Sequence, residues 1–330
     1  MNSSKDSFTP AQLELIQQLK QAVADQIQKS DDLTNFCNEH TYVRYMRARN
    51  WDLKKATAML KTTLEWRLEY KPHLIKFEEV KIQATTGKLY IYPHADQFGR
   101  PIVLMRPRLE NTKPSDNQIR YLIYCLEWAS KLADDTGVGK MCWLLDFEGY
   151  SLRNAPPIRT SLHCNHILQN HYPERLGCAV CYHSPTLFSL TWKAVSPFID
   201  PVTKGKIHFV SKGSKEKEEM NSRFQLDKME VSFGGEVPDY LFNMEEYVVR
   251  TLAFEDEVKK SLDAVRLSIQ LERSLTTTSG AEGASPPLLL ECKSIDKEEQ
   301  EAIDQAVAAA EAEEAQFVAE HSGELGVDKP

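Results

Sequence analysis

Apolar residues recur at helical spacing over the first seventy positions of the chain. Thr9 and Pro10 can begin a first helix, a second follows the polar break at 30–32, and Asp52 can cap a third. A polar capping residue followed by apolar positions three or four apart is typical of a helix start. Residues 9–75 are therefore predicted to form a small all-helical module, after a disordered N-terminus at residues 1–8.

The pattern then changes to short apolar runs of the kind found in buried strands. A hairpin is predicted at 88–105, and further strands at 141–147, 178–182 and 207–209. Helical patterns lie between these strands, and this alternation favours a mixed or parallel sheet with crossover connections. Residues 76–243 are therefore predicted to form an α/β domain, so the fold class is α/β with an N-terminal helical module.

Residues 185–198 contain more apolar side chains than one stripe of a helix can bury. Phe188, Trp192 and Val195 follow the i, i+4, i+7 rule, and Phe198 lies close behind them. Such a helix is either an ordinary core helix or one shared between a cavity and a membrane surface. Periodicity alone favours the core helix.

The residues on either side of this helix favour the second reading. Glu174 lies just before the strand at 178–182, and Thr203 and Lys206 lie just before the strand at 207–209. Both sets can meet at one edge of the sheet. We therefore interpret the helix as a lid over an apolar lipid cavity whose mouth is polar.

The C-terminal part of the chain has a weaker pattern. Residues 244–273 are predicted to be a helical extension. Residues 274–330 combine a linker rich in Ser, Thr, Gly and Pro with an acidic tail rich in Ala and Glu. The tail has little apolar face, so both a solvated helix and a disordered segment remain open.

The bulk composition narrows the class of partner. The net charge of −8 argues against nucleic acid as the main partner, because nucleic-acid binding needs a basic face. The N-terminus shows no secretory signal, and no apolar run approaches the roughly 18 residues of a membrane span. Seven cysteines spread over predicted helices and strands fit a reducing compartment. We expect a monomeric cytoplasmic protein whose contact with membranes is transient and peripheral.

The motifs of catalytic sites are missing from the sequence. It has no Gly-rich phosphate loop, no nucleophile elbow and no H-E-x-x-H motif. His163 and His166 have metal-ligand spacing without a second ligand pair, so no metal site is predicted. Asp146 and Glu148 are better read as a cap or salt bridge than as an acid–base pair. We therefore predict a protein that is not an enzyme and needs no cofactor.

The cations and polar groups around the predicted lid suggest a ligand instead. Arg47 and Arg49 lie on different faces of their helix, so at least one is expected to turn inward, where a phosphodiester would be a partner. An inositol ring needs acceptors and donors together. Glu174, Thr203 and Lys206 supply both.

Seven short motifs occur in a fixed order along the chain, at 45–52, 65–67, 96–101, 145–149, 172–175, 197–201 and 233–235. Taken together they resemble the CRAL-TRIO family, in particular its yeast-type secretory phosphatidylinositol-transfer branch. The resemblance implies a helical module followed by a domain whose sheet floors a hydrophobic lipid cavity. A mobile gate helix, matching 185–198, would cover that cavity.

The resemblance also implies ligand contacts, with bound phospholipid as the ligand. The phosphatidylinositol headgroup contacts of the family match Arg49, Glu174, Thr203 and Lys206. The branch that also carries phosphatidylcholine has small hydroxyl residues where this chain has Met141 and Trp143. Exchange of choline lipids is therefore in doubt, and a sterol or another apolar second ligand is equally open.

The function expected from the resemblance is phosphatidylinositol binding, with transfer or presentation between membranes in support of phosphoinositide metabolism and membrane traffic. Two alternatives stay open. One is a lipid-sensing scaffold that acts through a protein partner of its acidic tail. The other is a carrier of a sterol or another hydrophobic ligand.

Overall fold

The computed structural model describes residues 8–112, 116–151, 154–186, 188–239 and 242–276, together with 301, 302, 304, 305, 307–309, 312 and 316. Apart from Phe8, the predicted disordered N-terminus lies outside the described residues. Most of the predicted linker and tail also lies outside them.

Five helices form the N-terminal module: α1 (Pro10–Ala22), α2 (Ala24–Ile27), α3 (Asp31–Phe36), α4 (Glu39–Ala48) and α5 (Leu53–Tyr70). The predicted caps are present, since Thr9 Oγ1 accepts from the Gln12 amide at 3.2 Å and Asp52 Oδ1 from the Lys55 amide at 3.0 Å. The first predicted helix is interrupted at Val23, and the short α3 was not predicted. The module has its own apolar core.

The second part of the chain contains seven helices and five strands among the described residues. They are α6 (Phe77–Ala84), β1 (Leu89–Ala95), β2 (Pro101–Met105), α7 (Asp116–Asp135), β3 (Met141–Asp146), α8 (Ile158–His171), β4 (Leu176–Tyr182), α9 (Phe188–Val195), α10 (Pro201–Lys204), β5 (Ile207–Val210), α11 (Glu216–Asn221) and α12 (Met244–Thr276). The strands lie in the order β1-β2-β3-β4-β5, with β1 antiparallel to β2 and the others parallel. The predicted α/β fold with a mixed sheet is confirmed.

The crossovers decide where the helices lie. Each parallel connection moves one strand further in the same direction, and right-handed crossovers place α7, α8 and α9 on one face of the sheet. The helix α7 packs against β1, β2 and β3, while α8 and α9 lie beside each other further along. Among the described residues, no helix has the length and hydropathy needed to cross a bilayer.

The two faces of the sheet differ in how completely they are covered. On one face Leu104, Leu144 and Val180 are fully buried. On the face with the crossover helices, the strand register aligns two rows of side chains that run across β2, β3, β4 and β5. Several members of these rows are only half-buried, and Phe209 is 41% exposed. We call these incompletely covered residues, Met105, Trp143, Leu145, Ile207 and Phe209, the open face.

The helical module is joined to the α/β domain by a buried ion pair. Arg67 on α5 donates to both carboxylate oxygens of Glu127 on α7 at 2.9 and 2.8 Å, and the Tyr172 hydroxyl donates to the same carboxylate at 2.8 Å. Burial alone would raise the pKa of Glu127, but the charge and hydrogen bonds of Arg67 lower it overall. The stabilisation is therefore complete above the ordinary pKa of 4.5 and is lost as the pH falls through the lowered value.

Removing one partner of this pair should destabilise the protein strongly. Arg67→Met leaves the Glu127 carboxylate buried without its cation, and we expect the free energy of unfolding to fall by about 3–5 kcal/mol. Adding Glu127→Gln removes the second charge but keeps an acceptor for Tyr172, so much of the loss should be recovered. Urea unfolding followed by circular dichroism measures both values. An Arg67→Met protein as stable as the wild type would contradict this assignment.

Candidate functional site

The segment 170–175, which spans the end of α8 and the loop before β4, is the anchor turn of the site. The N-terminal module holds its backbone: Thr63 Oγ1 donates to the Asn170 carbonyl at 3.0 Å, and Arg44 Nη1 to the Pro173 carbonyl at 3.3 Å. Its last residue, the buried Arg175, forms an ion pair with the partly exposed Asp134 on α7 at 2.5 Å. The turn is therefore fixed from both parts of the fold.

These contacts hold Glu174 in an unfavourable backbone conformation. Its φ is 59°, in the left-handed region that residues with a side chain seldom adopt. Such a conformation costs on the order of 1 kcal/mol and persists only when the surroundings impose it. The result is a carboxylate that leaves the turn in a fixed direction at the edge where β4 begins.

Two lysines flank the Glu174 carboxylate. Lys206, just before β5, places Nζ 4.0 Å from Glu174 Oε2, and Lys140, just before β3, places Nζ 3.7 Å from the same oxygen. Thr203 is next to this group, because the Lys206 amide donates to the Thr203 carbonyl at 3.0 Å. Three of the four predicted headgroup residues therefore lie together at the starting edge of the parallel strands.

These polar groups have few partners in the protein. Within the described ranges, the side chains of Glu174, Lys206 and Thr203 make no hydrogen bond to another residue. Burial lowers the pKa of Lys206, Glu174 opposes this effect, and Lys140 adds to it. A half-buried carboxylate, ammonium and hydroxyl are thus available to a ligand that brings donors, acceptors and a negative charge.

Lys140 was not identified from the sequence, although a signal was present. It directly precedes the apolar run of β3, just as Lys206 precedes that of β5. Because neighbouring parallel strands start at the same edge, residues just before them meet there. The site therefore contains two ammonium groups and one carboxylate instead of a single ion pair.

Arg49, the fourth predicted headgroup residue, is not in contact with the other three. It is the C-cap residue that follows α4, is half-buried, and donates to the neighbouring Ala48 carbonyl at 3.0 Å. The cation of this helix that turns fully inward is Arg44, at 8% exposed, whereas Arg47 is exposed. The expectation that the inward cation would be Arg47 or Arg49 was incomplete, because Arg44 is on the side of α4 that contacts the anchor turn.

The predicted gate helix is shorter than expected. The α-helix α9 begins at Phe188 and ends at Val195, and a 3-10 turn follows at Ser196–Phe198. Pro197 explains the change, since it has no amide to continue the α-helical pattern. Residues 183–186 are not helical, and Leu187 lies outside the described residues. We refer to residues 188–198 as the gate.

The gate faces two neighbours. Phe188 lies 4.3 Å from Phe147 and 6.4 Å from Phe209, and Trp192 lies 5.3 Å from Phe209, measured between ring centroids. The gate therefore reaches the open face through large aromatic rings. Val195 and Phe198 pack instead against α8.

Hydrogen bonds from α8 fix the C-terminal end of the gate. The amide groups of Asn165 and Gln169 both donate to the Phe198 carbonyl, at 3.0 and 2.6 Å. Gln169 Oε1 also accepts from the Asp200 amide at 3.2 Å. If the gate moves, this end is the pivot.

The two residues predicted to determine the second ligand have different environments. Met141 is buried at 1% exposed. Trp143 is half-buried on the open face, and its indole N–H is buried with no hydrogen-bond partner among the described residues. The role of both residues in ligand choice stays a prediction, and of the two only Trp143 carries a side-chain hydrogen-bond donor.

Comparison with known proteins now supports the resemblance seen in the sequence. Residues 85–235 match the CRAL/TRIO domain model, and residues 15–62 match the CRAL/TRIO N-terminal domain model. The CRAL-TRIO domain-containing protein YKL091C of Saccharomyces cerevisiae is 30% identical over 222 residues, which cover 60% of this chain and 71% of that protein. The chain belongs to the CRAL-TRIO family. The family is one of lipid-binding proteins, and the predicted relationship is confirmed.

Further relatives agree with this membership. The phosphatidylinositol transfer protein PDR17 of Saccharomyces cerevisiae is 33% identical over 180 residues, which cover 51% of each chain. The chain therefore spans about half the length of PDR17, and it spans 18% of a longer Schizosaccharomyces pombe relative. The crystal structure of Sfh5 superposes with a TM-score of 0.54 at 19% identity, covering 77% of this chain and 100% of Sfh5. That similarity shows a shared fold.

Proposed function

We propose that this CRAL-TRIO protein binds phosphatidylinositol and transfers it between membranes or presents it there, without chemically changing it. The observation on which this rests is the group Glu174, Lys206 and Thr203, whose side chains make no hydrogen bond to another described residue and lie beside the apolar open face that the gate contacts. The names of two relatives, phosphatidylinositol transfer protein PDR17 and SEC14 cytosolic factor, point to the same activity and to the cytosol.

The headgroup chemistry accounts for each polar residue. Inositol hydroxyls can donate to the Glu174 carboxylate and exchange hydrogen bonds with the Thr203 hydroxyl. The phosphodiester would pair with Lys206. Glu174 by itself repels a phosphodiester. If Lys206 were its only cationic neighbour, the charges of Glu174 and Lys206 would cancel and leave no net positive charge for the phosphate. Lys140 supplies the second positive charge, which lets one ammonium neutralise Glu174 while the other binds the phosphate.

The acyl chains contribute affinity but little selectivity. Burying a CH₂ group is worth about 0.8 kcal/mol relative to water, and the bilayer provides the same environment as an apolar cavity. Moving the chains from a membrane to the open face therefore costs little overall. Selection among lipids has to come from the headgroup and from single donors such as the Trp143 indole N–H. No bond needs to be broken, so the protein acts as a carrier that contacts membranes transiently.

Removing either charged group of the headgroup site should slow the transfer of phosphatidylinositol strongly. Lys206→Ala removes the phosphate partner and Glu174→Ala removes the inositol acceptor, and each should slow movement between vesicles by about 10- to 100-fold. The assay follows labelled phosphatidylinositol from donor to acceptor vesicles. Lys81→Ala is the control. Lys81 lies on α6, outside this group, and its Nζ is 3.3 Å from a carboxylate oxygen of Glu78. Unchanged transfer by both variants, with circular dichroism unaltered, would refute the proposal.

Lys140 should contribute to affinity although it was not part of the predicted site. Replacing it by the neutral Lys140→Met should weaken phosphatidylinositol binding by about tenfold and reduce its dependence on salt. Lys81→Met is a matched control, because the two lysine side chains are 40% and 46% exposed and each pairs with one glutamate. If Lys140→Met binds like the wild type while Lys206→Ala does not, Lys140 is outside the headgroup site.

A further inference from the structure

A small apolar cluster lies between α8 and the gate, separate from the main core. From α8 it contains Ile158 and Leu162, and from the gate Ala194, Val195 and Phe198 pack against them. We call this line of contact the seam. Any movement of the gate away from α8 has to open the seam.

The seam contains one residue from the far end of the chain. Val307 is 5% exposed and belongs to the same cluster as Ile158 and Leu162. Its neighbours Ala308 and Ala309 are exposed. The described residues between 301 and 316 are helical, so this segment presents one apolar side chain to the seam and its other described side chains to solvent.

A charged contact sets the register of this segment. Asp304 lies three residues before Val307, on the same side of a helix. Asp304 Oδ1 is 3.1 Å from Arg159 Nη2 on α8, next to Ile158. The pair is exposed at 65% and 49%, so it contributes orientation more than affinity. The apolar contact of Val307 and the charged contact of Asp304 are therefore made with the same turn of α8.

We propose that the seam is a docking surface for this chain's own C-terminal segment, and that the docked segment restrains the gate. Val307 belongs to the cluster against which the gate residues pack, near the end of the gate that Asn165 and Gln169 hold. The gate is then least free when the segment is in place. Release of the segment precedes gate movement. The effect on lipid exchange rests on the proposed function, whereas the docking itself does not.

Hydrogen exchange of the full chain, without lipid, tests the docking. Val307→Asp places a charge in the seam and should speed exchange at the backbone amides of α9 by about tenfold, because one buried valine is lost from the closed arrangement. Ala308→Asp adds the same charge one residue further on, at an exposed position, and should leave exchange at α9 unchanged. Equal exchange in Val307→Asp and wild type would overturn the proposal.

A cross-linked variant tests the restraint in the opposite direction. Leu162→Cys combined with Val307→Cys should form a disulfide under mild oxidation, because the two side chains share the cluster. The bond, mapped by mass spectrometry, should slow exchange at α9 and slow phosphatidylinositol transfer, and a reductant should reverse both. A bond that forms but leaves exchange at α9 unchanged would contradict the restraint of the gate. If the wild type transfers no phosphatidylinositol, the proposed function fails while the exchange data still decide the docking.

Discussion

The buried contact of Arg67 with Glu127 and Tyr172 determines where the polar groups of the site can lie. It joins a helix of the N-terminal module to α7 and to the turn that precedes β4. Because that turn is fixed, Glu174 is held at a φ of 59° with its carboxylate between two lysines. The helical module is therefore part of the architecture of the candidate site, although none of the three clustered residues belongs to it.

The proposed binding of a phospholipid involves two physical tasks, which different parts of the site perform. An apolar face covered by a helix can accept acyl chains from a membrane at small cost, since both environments exclude water. A small group of charges at the sheet edge can distinguish headgroups, since unpaired donors and acceptors discriminate strongly in a partly buried place. The open face and the Glu174 group are on the same βαβ units, so one fold supplies both tasks.

Much of this arrangement could be predicted from the sequence, for identifiable reasons. The alternation of short apolar runs and helical patterns fixed the mixed sheet, and the positions of Glu174 and Lys206 before parallel strands implied that they meet. The sequence pattern did not reveal that Arg44 is buried or that Val307 packs in the cluster beside α8. Both depend on which face a helix presents to a distant segment of the chain. A cation on α4 does not by itself indicate a contact with the anchor turn, and one valine in an acidic, Ala-rich stretch does not indicate a contact with α8.

The proposed ligand of the chain is an inositol phospholipid held between the sheet and the gate. Native mass spectrometry of the full chain, purified without detergent from a eukaryotic host that makes phosphatidylinositol, tests this proposal most directly. We expect a complex with one bound lipid, which releases an inositol phosphate fragment on dissociation. A chain that carries no lipid, or carries only lipids without inositol, would contradict the account.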